Sequence, residues 1–237
     1  MRRRESSSRA RTRRASLALL ALAACGVPTR APPPAVAPPA APAGPHYVID
    51  AARSELRILV YRAGALARLG HNHVLLSREL AGEIKLAAPG VYAGAAFSLT
   101  APVATLIVDD PAARAAEGEE VATVPTAADI EGTRRNLLSA AVLNGAACPA
   151  LSVAGATEAA PDGVGARARL ASCEHATVRL VPIEVSERDG VLTVRGGLSL
   201  RQSELGLAPF SVALGALAVR DQLELRFTVV AVPDAGG

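Results

Sequence analysis

Residues 191–201, VLTVRGGLSLR, and residues 223–231, LELRFTVVA, decide the fold. In the first run Leu192, Val194, Leu198 and Leu200 fall on one side, and Thr193, Arg195, Ser199 and Arg201 on the other. In the second, Leu223, Leu225, Phe227 and Val229 alternate with Glu224, Arg226, Thr228 and Val230. A period of two means a strand with one buried face and one wet face. Two such strands cannot hide their apolar sides alone, so further strands must close around the same interior. Between them, residues 202–220 carry Gly206, Pro209 and Gly215, which predicts a long irregular connection.

The chain before them supplies the partners. Residues 46–50 and 55–61 read as strands, the second with Leu56, Ile58 and Val60 on one face. A loop rich in Gly and Ala follows over 62–70, then a strand over 71–77 that residues 78–87 continue or pair with, up to the Pro89-Gly90 turn. Strands are predicted over 95–100 and 103–108, broken at Pro102, which has no N–H for a ladder. Others are predicted over 151–156, 166–172 and 177–185. Residues 126–144 instead place Ile130, Leu137, Leu138, Ala141 and Val142 at helical spacing. Thr126 and Asp129 sit three apart like a capping box, and Asn144-Gly145 suits the C-terminal end. Many short strands around one main helix predict an all-β fold, an antiparallel lipocalin-like barrel of about eight strands, because closure removes exposed edges.

The N-terminus is predicted to lie outside that fold. Residues 1–24 combine an Arg-rich start with a short apolar run over 17–24, too short to span a bilayer, which is the pattern of a signal peptide. Leu22-Ala23-Ala24-Cys25-Gly26 resembles the bacterial lipobox, which implies lipidation of Cys25 and a membrane-anchored lipoprotein. Residues 25–45, nearly all Pro and Ala after the Cys, form an extended tether, and residues 46–233 form the barrel domain. The whole chain carries a net charge of +3, but residues 1–24 hold seven Arg and one Glu, leaving −3 on the remainder. That balance and the scarcity of aromatic residues exclude a nucleic-acid partner from the reading.

Three segments together resemble the YceI-like family of bacterial periplasmic proteins. They are Tyr47-Val-Ile-Asp50 with Ser54; Leu137, Leu138 and Val142 leading to Cys148-Pro149-Ala150-Leu151; and Gly206, Pro209, Phe210, Gly215, Ala216, Leu217, Val219 and Asp221. The resemblance implies a lipocalin-type barrel whose elongated apolar interior holds a polyisoprenoid chain or another long lipid. Leu192, Val194, Leu198, Leu200, Phe210, Leu223, Leu225, Phe227 and Val229 would then line the tunnel. With no Trp and three Phe, side chains are expected to underfill the barrel.

Gly70-His71-Asn72-His73 places two imidazoles on one side of a strand, close enough to share a metal ion if His46, His175 or a carboxylate adds a third ligand. The alternatives are a hydrogen-bonded pair at the barrel rim, or a contact to the polar head of a quinone or lipid phosphate. Of three Cys, Cys25 is assigned to lipid; a hairpin turning at Pro161-Asp162-Gly163 would set Cys148 opposite Cys173 for a disulfide, the alternative being two free thiols. Asp109-Asp110 reads as a strand end before Pro111, and no Ser-His-Asp set, phosphate loop or HExxH motif occurs, so no enzyme is expected. The sequence therefore predicts a lipid-anchored periplasmic carrier of a polyisoprenoid-like lipid. A metal- or redox-linked protein using His71 and His73, or a structural barrel without ligand, are the alternatives.

Overall fold

A computed structural model describes residues 42–235. The predicted signal peptide, Cys25 and the tether as far as Ala41 lie outside the described residues. Gly44 and Pro45, counted above with the tether, are already tied to the domain: the Gly44 N–H donates to Leu86 O at 3.0 Å and the Leu86 N–H to Pro45 O at 2.9 Å.

Among the described residues one sheet holds twelve strands. They are β1 (His46–Ile49), β2 (Glu55–Ala63), β3 (His73–Ser77), β4 (Ala81–Lys85), β5 (Ala96–Pro102), β6 (Ile107–Val108), β7 (Ala150–Ala160), β8 (Gly163–Ser172), β9 (His175–Arg188), β10 (Val191–Arg201), β11 (Ser211–Val212) and β12 (Leu217–Pro233). Every pairing is antiparallel. β1 with β2, β3 with β4, and β5 with β6 are halves of three broken staves, so the strands make an eight-stave closed barrel with β11 as a side strand. Closure falls to β12. One edge pairs with β10 from Leu192↔Ala231 to Arg201↔Gln222, and the other serves β2 and then β1, ending at Tyr47↔Pro233.

Each break has a local cause. Between β1 and β2, the Ser54 hydroxyl donates to Asp50 O at 2.7 Å and accepts from the Val230 N–H at 2.9 Å. That turn covers Val230, which the alternation places on the wet face but which is 8% exposed. Between β3 and β4, Leu80 is buried at the bend, and Gly82 follows with φ +147, where a Cβ would meet Ser98 O at 2.0 Å. Pro102 ends β5 as expected, but a 3-10 turn over Val103–Thr105 shortens the strand predicted for 103–108 to β6. At the other end, β12 begins at Leu217 rather than at 223, so the irregular connection is shorter than predicted.

Two α-helices lie between β6 and β7. The predicted one, α2 (Ala127–Leu138), has its capping box: Thr126 Oγ1 accepts from the Asp129 N–H at 3.2 Å, and Asp129 accepts from the Thr126 N–H at 3.0 Å. It stops at Leu138 instead of Asn144, because Ser139 turns extended (φ −66, ψ 161). Leu143 is then buried through the following turns, and Ala141 is exposed. The Arg134 guanidinium donates to Leu106 O and Ala104 O, both at 2.6 Å, and so covers carbonyls where the β5–β6 stave leaves the ladder. The other helix, α1 (Pro111–Glu117), was not expected. It starts on an Asp110 side-chain cap and packs Ala113, with nearby Val121, over Val74 and Leu76 on the outside of β3. Its Glu117 carboxylate is fully buried between Arg57, at 2.7 Å, and Arg226.

Cys148 and Cys173 are joined by a disulfide with a Cα–Cα distance of 5.2 Å. The Leu151↔Ser172 register of the β7–β8 hairpin brings them together, and the bond ties the segment after α2 to the β8–β9 turn. Removing a native disulfide costs about 2–5 kcal/mol, and in a domain this size each kcal/mol moves the midpoint by about 2–4 °C. Reduction, or the double change Cys148→Ala with Cys173→Ala, is therefore expected to lower the melting temperature by roughly 5–15 °C. Equal melting curves with and without reductant would show that the bond adds no stability.

Candidate functional site

The inward faces of the staves do not fill the barrel. Two chambers lie along its interior, of about 160 Å³ and about 200 Å³. They share Leu56, Leu151, Val153, Leu170 and Leu225, which form a waist between them. One water needs about 10–15 Å³ and also polar partners, so apolar space of this size is suited to hydrocarbon rather than solvent. The hollow follows from side-chain size: Ala95, Ala101, Ala166 and Ala168 stand on the wall of chamber one where larger residues would meet across the axis.

Chamber one reaches towards the rim that carries the 86–95 loop. There the exposed Glu187 carboxylate accepts hydrogen bonds from the Tyr47 and Tyr92 hydroxyls, at 3.0 and 3.1 Å. Burial first, and the Glu187 carboxylate second, push both phenols above their ordinary range, so they stay protonated donors.

Chamber two opens among the loops of the opposite rim, where α2 and the 202–216 connection meet the barrel. His73 lines it from the start of β3. Its Nδ1 is 2.7 Å from Asp109 Oδ2, while Asp109 Oδ1 accepts from the Val74 N–H at 2.9 Å and from Arg114. Arg114, 7% exposed, also donates to Asn72 O at 2.9 Å and to Val121 O and Thr123 O. Burial alone would raise the Asp109 carboxyl; hydrogen bonds from His73, Val74 and Arg114 outweigh it and hold the group below the ordinary carboxylate range.

The tunnel residues named from sequence divide between the chambers. Leu192, Val194, Leu198, Phe227 and Val229 stand on the wall of chamber one, Leu200, Phe210 and Leu223 on that of chamber two, and Leu225 at the waist. His71 and His73 do sit together, ring centroids 6.3 Å apart and edge to face. The third ligand does not arrive: among the described residues no three His, Cys, Asp or Glu are grouped to hold a metal ion. His46 pairs with Glu83 and Asp234, and the His175 ring lies against Gly206. Sequence reading took Asp109 only for a strand end, and missed Arg114, which α1 brings to it, and the polar Thr133, Asn136 and Gln202 at chamber two. An Arg four residues after the Asp110 cap was the available signal for Arg114.

No protein-family model matches this chain, and no curated protein sequence matches it. Solved structures do. Burkholderia cenocepacia BcnA superposes with a TM-score of 0.56 at 15% identity, over 78% of this chain and 99% of that one. A polyisoprenoid binding domain from Saccharophagus degradans, implicated in plant cell wall breakdown, gives 0.52 at 12% identity, over 79% and 98%. A mutant CJ YCEI protein gives 0.48 at 9%, over 67% and 82%. The described domain thus shares its barrel fold with BcnA and with that polyisoprenoid binding domain.

The Asp109 network gives a pH dependence of known sign. A carboxylate held low in the folded state contributes stability above its unfolded pKa of about 3.9, and the contribution is lost as pH falls through the lower folded value. Asp109→Asn should destabilise the domain by about 3–5 kcal/mol at neutral pH, since Arg114 is left buried without its counter-charge. The gap between variant and wild type should narrow below about pH 4. Melting temperatures measured from neutral to acid pH test this; a gap that stays constant throughout would remove Asp109 from the acid limb.

Proposed function

We propose that this chain is a lipid carrier whose barrel holds a polyisoprenoid-like or other long hydrocarbon chain along its axis. The observation that carries the reading is the pair of apolar chambers meeting at one waist. Each buried CH₂ contributes about 0.8 kcal/mol, so ten or so carbons bring roughly 8 kcal/mol before the cost of ordering the tail. The polyisoprenoid binding ascribed to the Saccharophagus degradans domain supports this ligand class on a shared fold. The role is binding, not catalysis.

We further infer a periplasmic lipoprotein, with residues 1–24 as export signal and Cys25 as the membrane anchor. A disulfide between Cys148 and Cys173 suits an oxidising compartment.

Val194 and Leu198 stand on the wall of chamber one and are half-buried. Val194→Phe or Leu198→Phe should lower the lipid that co-purifies with the protein, while overpacking costs about 1–3 kcal/mol and leaves the fold intact. Extraction and mass spectrometry of bound lipid, beside a melting curve, read both effects; undiminished lipid in folded variants counts against the chamber. For the anchor, Cys25→Ser should abolish incorporation of labelled fatty acid and release the protein from the membrane fraction. Unchanged labelling would remove the lipoprotein assignment.

A further inference from the structure

The chambers differ in kind. In chamber one the polar residues are Thr100, Thr157 and Tyr92. The Thr157 hydroxyl bonds to Tyr92 O and the Ala95 N–H, and the Tyr92 hydroxyl to Glu187, so two of the three have their bonds within the protein. Chamber two gathers His73, Thr133, Asn136, Ser152 and Gln202. His73 Nε2, Thr133 Oγ1, the exposed Asn136 amide and Gln202 Oε1 have no protein partner among the described residues. Thr133 and Asn136 lie one turn apart on α2, on the same side of the helix. The start of that helix stands near the histidines: Asp129 is held low chiefly by Thr126, with His71 and His73 adding to it. Unused hydrogen-bonding capacity beside an apolar cavity costs free energy unless a ligand or water meets it.

Charge decides which ligand. Among the described residues no lysine or arginine lines either chamber. Arg114, behind Asp109, is already committed to that carboxylate and to the carbonyls of Asn72, Val121 and Thr123. A phosphate in chamber two would face one imidazole and find no lysine or arginine on the wall to balance the rest of its charge. A hydroxyl is neutral, and it both donates and accepts. It therefore matches His73 Nε2 whichever ring nitrogen carries the proton, and it matches the Asn136 amide as well.

We propose that chamber two is the head-group site for an uncharged long-chain alcohol of prenol type, its hydroxyl on His73 Nε2 and its tail running past Leu225 into chamber one. The assignment rests on the lipid-carrier reading and adds a direction to it. His73 is the contact residue. Asp109 is a positioning residue, fixing the ring through Nδ1 so that the second nitrogen serves the chamber.

Native mass spectrometry of the full-length chain, stripped of co-purified lipid, tests this with geranylgeraniol, geranylgeranyl phosphate and the hydrocarbon phytane as probes. Wild type should take the alcohol about tenfold more tightly than phytane, the value of one good hydrogen bond, and the phosphate no more tightly than phytane. His73→Leu should abolish the preference for alcohol and leave phytane binding as it was. Thr133→Val with Asn136→Leu, on a helix with no fully buried residue, should reduce the same preference and guards against a His73 variant that does not fold. Tighter binding of the phosphate, or an alcohol-to-phytane ratio unchanged in folded variants, would overturn the head-group site while leaving the carrier reading in place. Failure of all three probes to bind wild type would overturn both.

Discussion

Hydrogen bonds along both edges of β12 turn an open antiparallel sheet into a cylinder. Everything inside depends on them. An open sheet with this many small inward residues would collapse or pair with another chain, since it could not cover its apolar face. Closed, the backbone satisfies its own polar groups around the ring, and the interior need not be filled with side chains to stay together. That is why a barrel with alanines at Ala95, Ala101, Ala166 and Ala168 remains hollow and still has a fold.

The second layer works from outside. Helix α1 covers Val74 and Leu76, so β3 is buried on both faces, and its two charged residues reach the sheet from opposite sides of one problem. Glu117 pairs with both Arg57 and Arg226 on the outer face of β2 and β12, the pair of strands at the closure. Arg114 compensates Asp109, which in turn holds the ring of His73. A short helix on the surface therefore sets the electrostatics of a group that lines the interior. Buried pairs of this kind add little net stability over apolar replacements, but losing one member is costly, which makes the arrangement specific rather than strong.

Where a strand has one wet face, the sequence was legible. Residues 191–201 and 223–231 alternate cleanly because their outward side chains meet solvent, and the lining named from them stands on the chamber walls. Where the outer face is covered, a strand could be read but its two faces could not. Val74, Leu75 and Leu76 run apolar without alternation, and Val230 gives no sign of the Ser54 turn above it. Pro111 to Glu117 hid a helix because its Ala-rich sequence has no apolar stripe, its packing resting on Ala113 and three ion pairs. The apolar run from Leu137 to Leu143 read as helix throughout, yet the residues after Ser139 reach the interior by turns. His73 and Asp109 lie 36 residues apart, and nothing local to either announces the other.

The strand that closes the ring is also the last of the twelve in chain order. Tyr47 cannot meet Pro233 until nearly the whole domain exists, so the final ladder is a contact of extreme sequence separation. Loop-closure entropy for such a contact must be overcome before it is rewarded, which places the fold among slow folders. Until β12 arrives, β10 and β2 both present unpaired edges to any neighbouring chain. A chain of this topology is therefore most exposed to misassembly before β12 has paired, and loss of β12 would leave two free edges, not one.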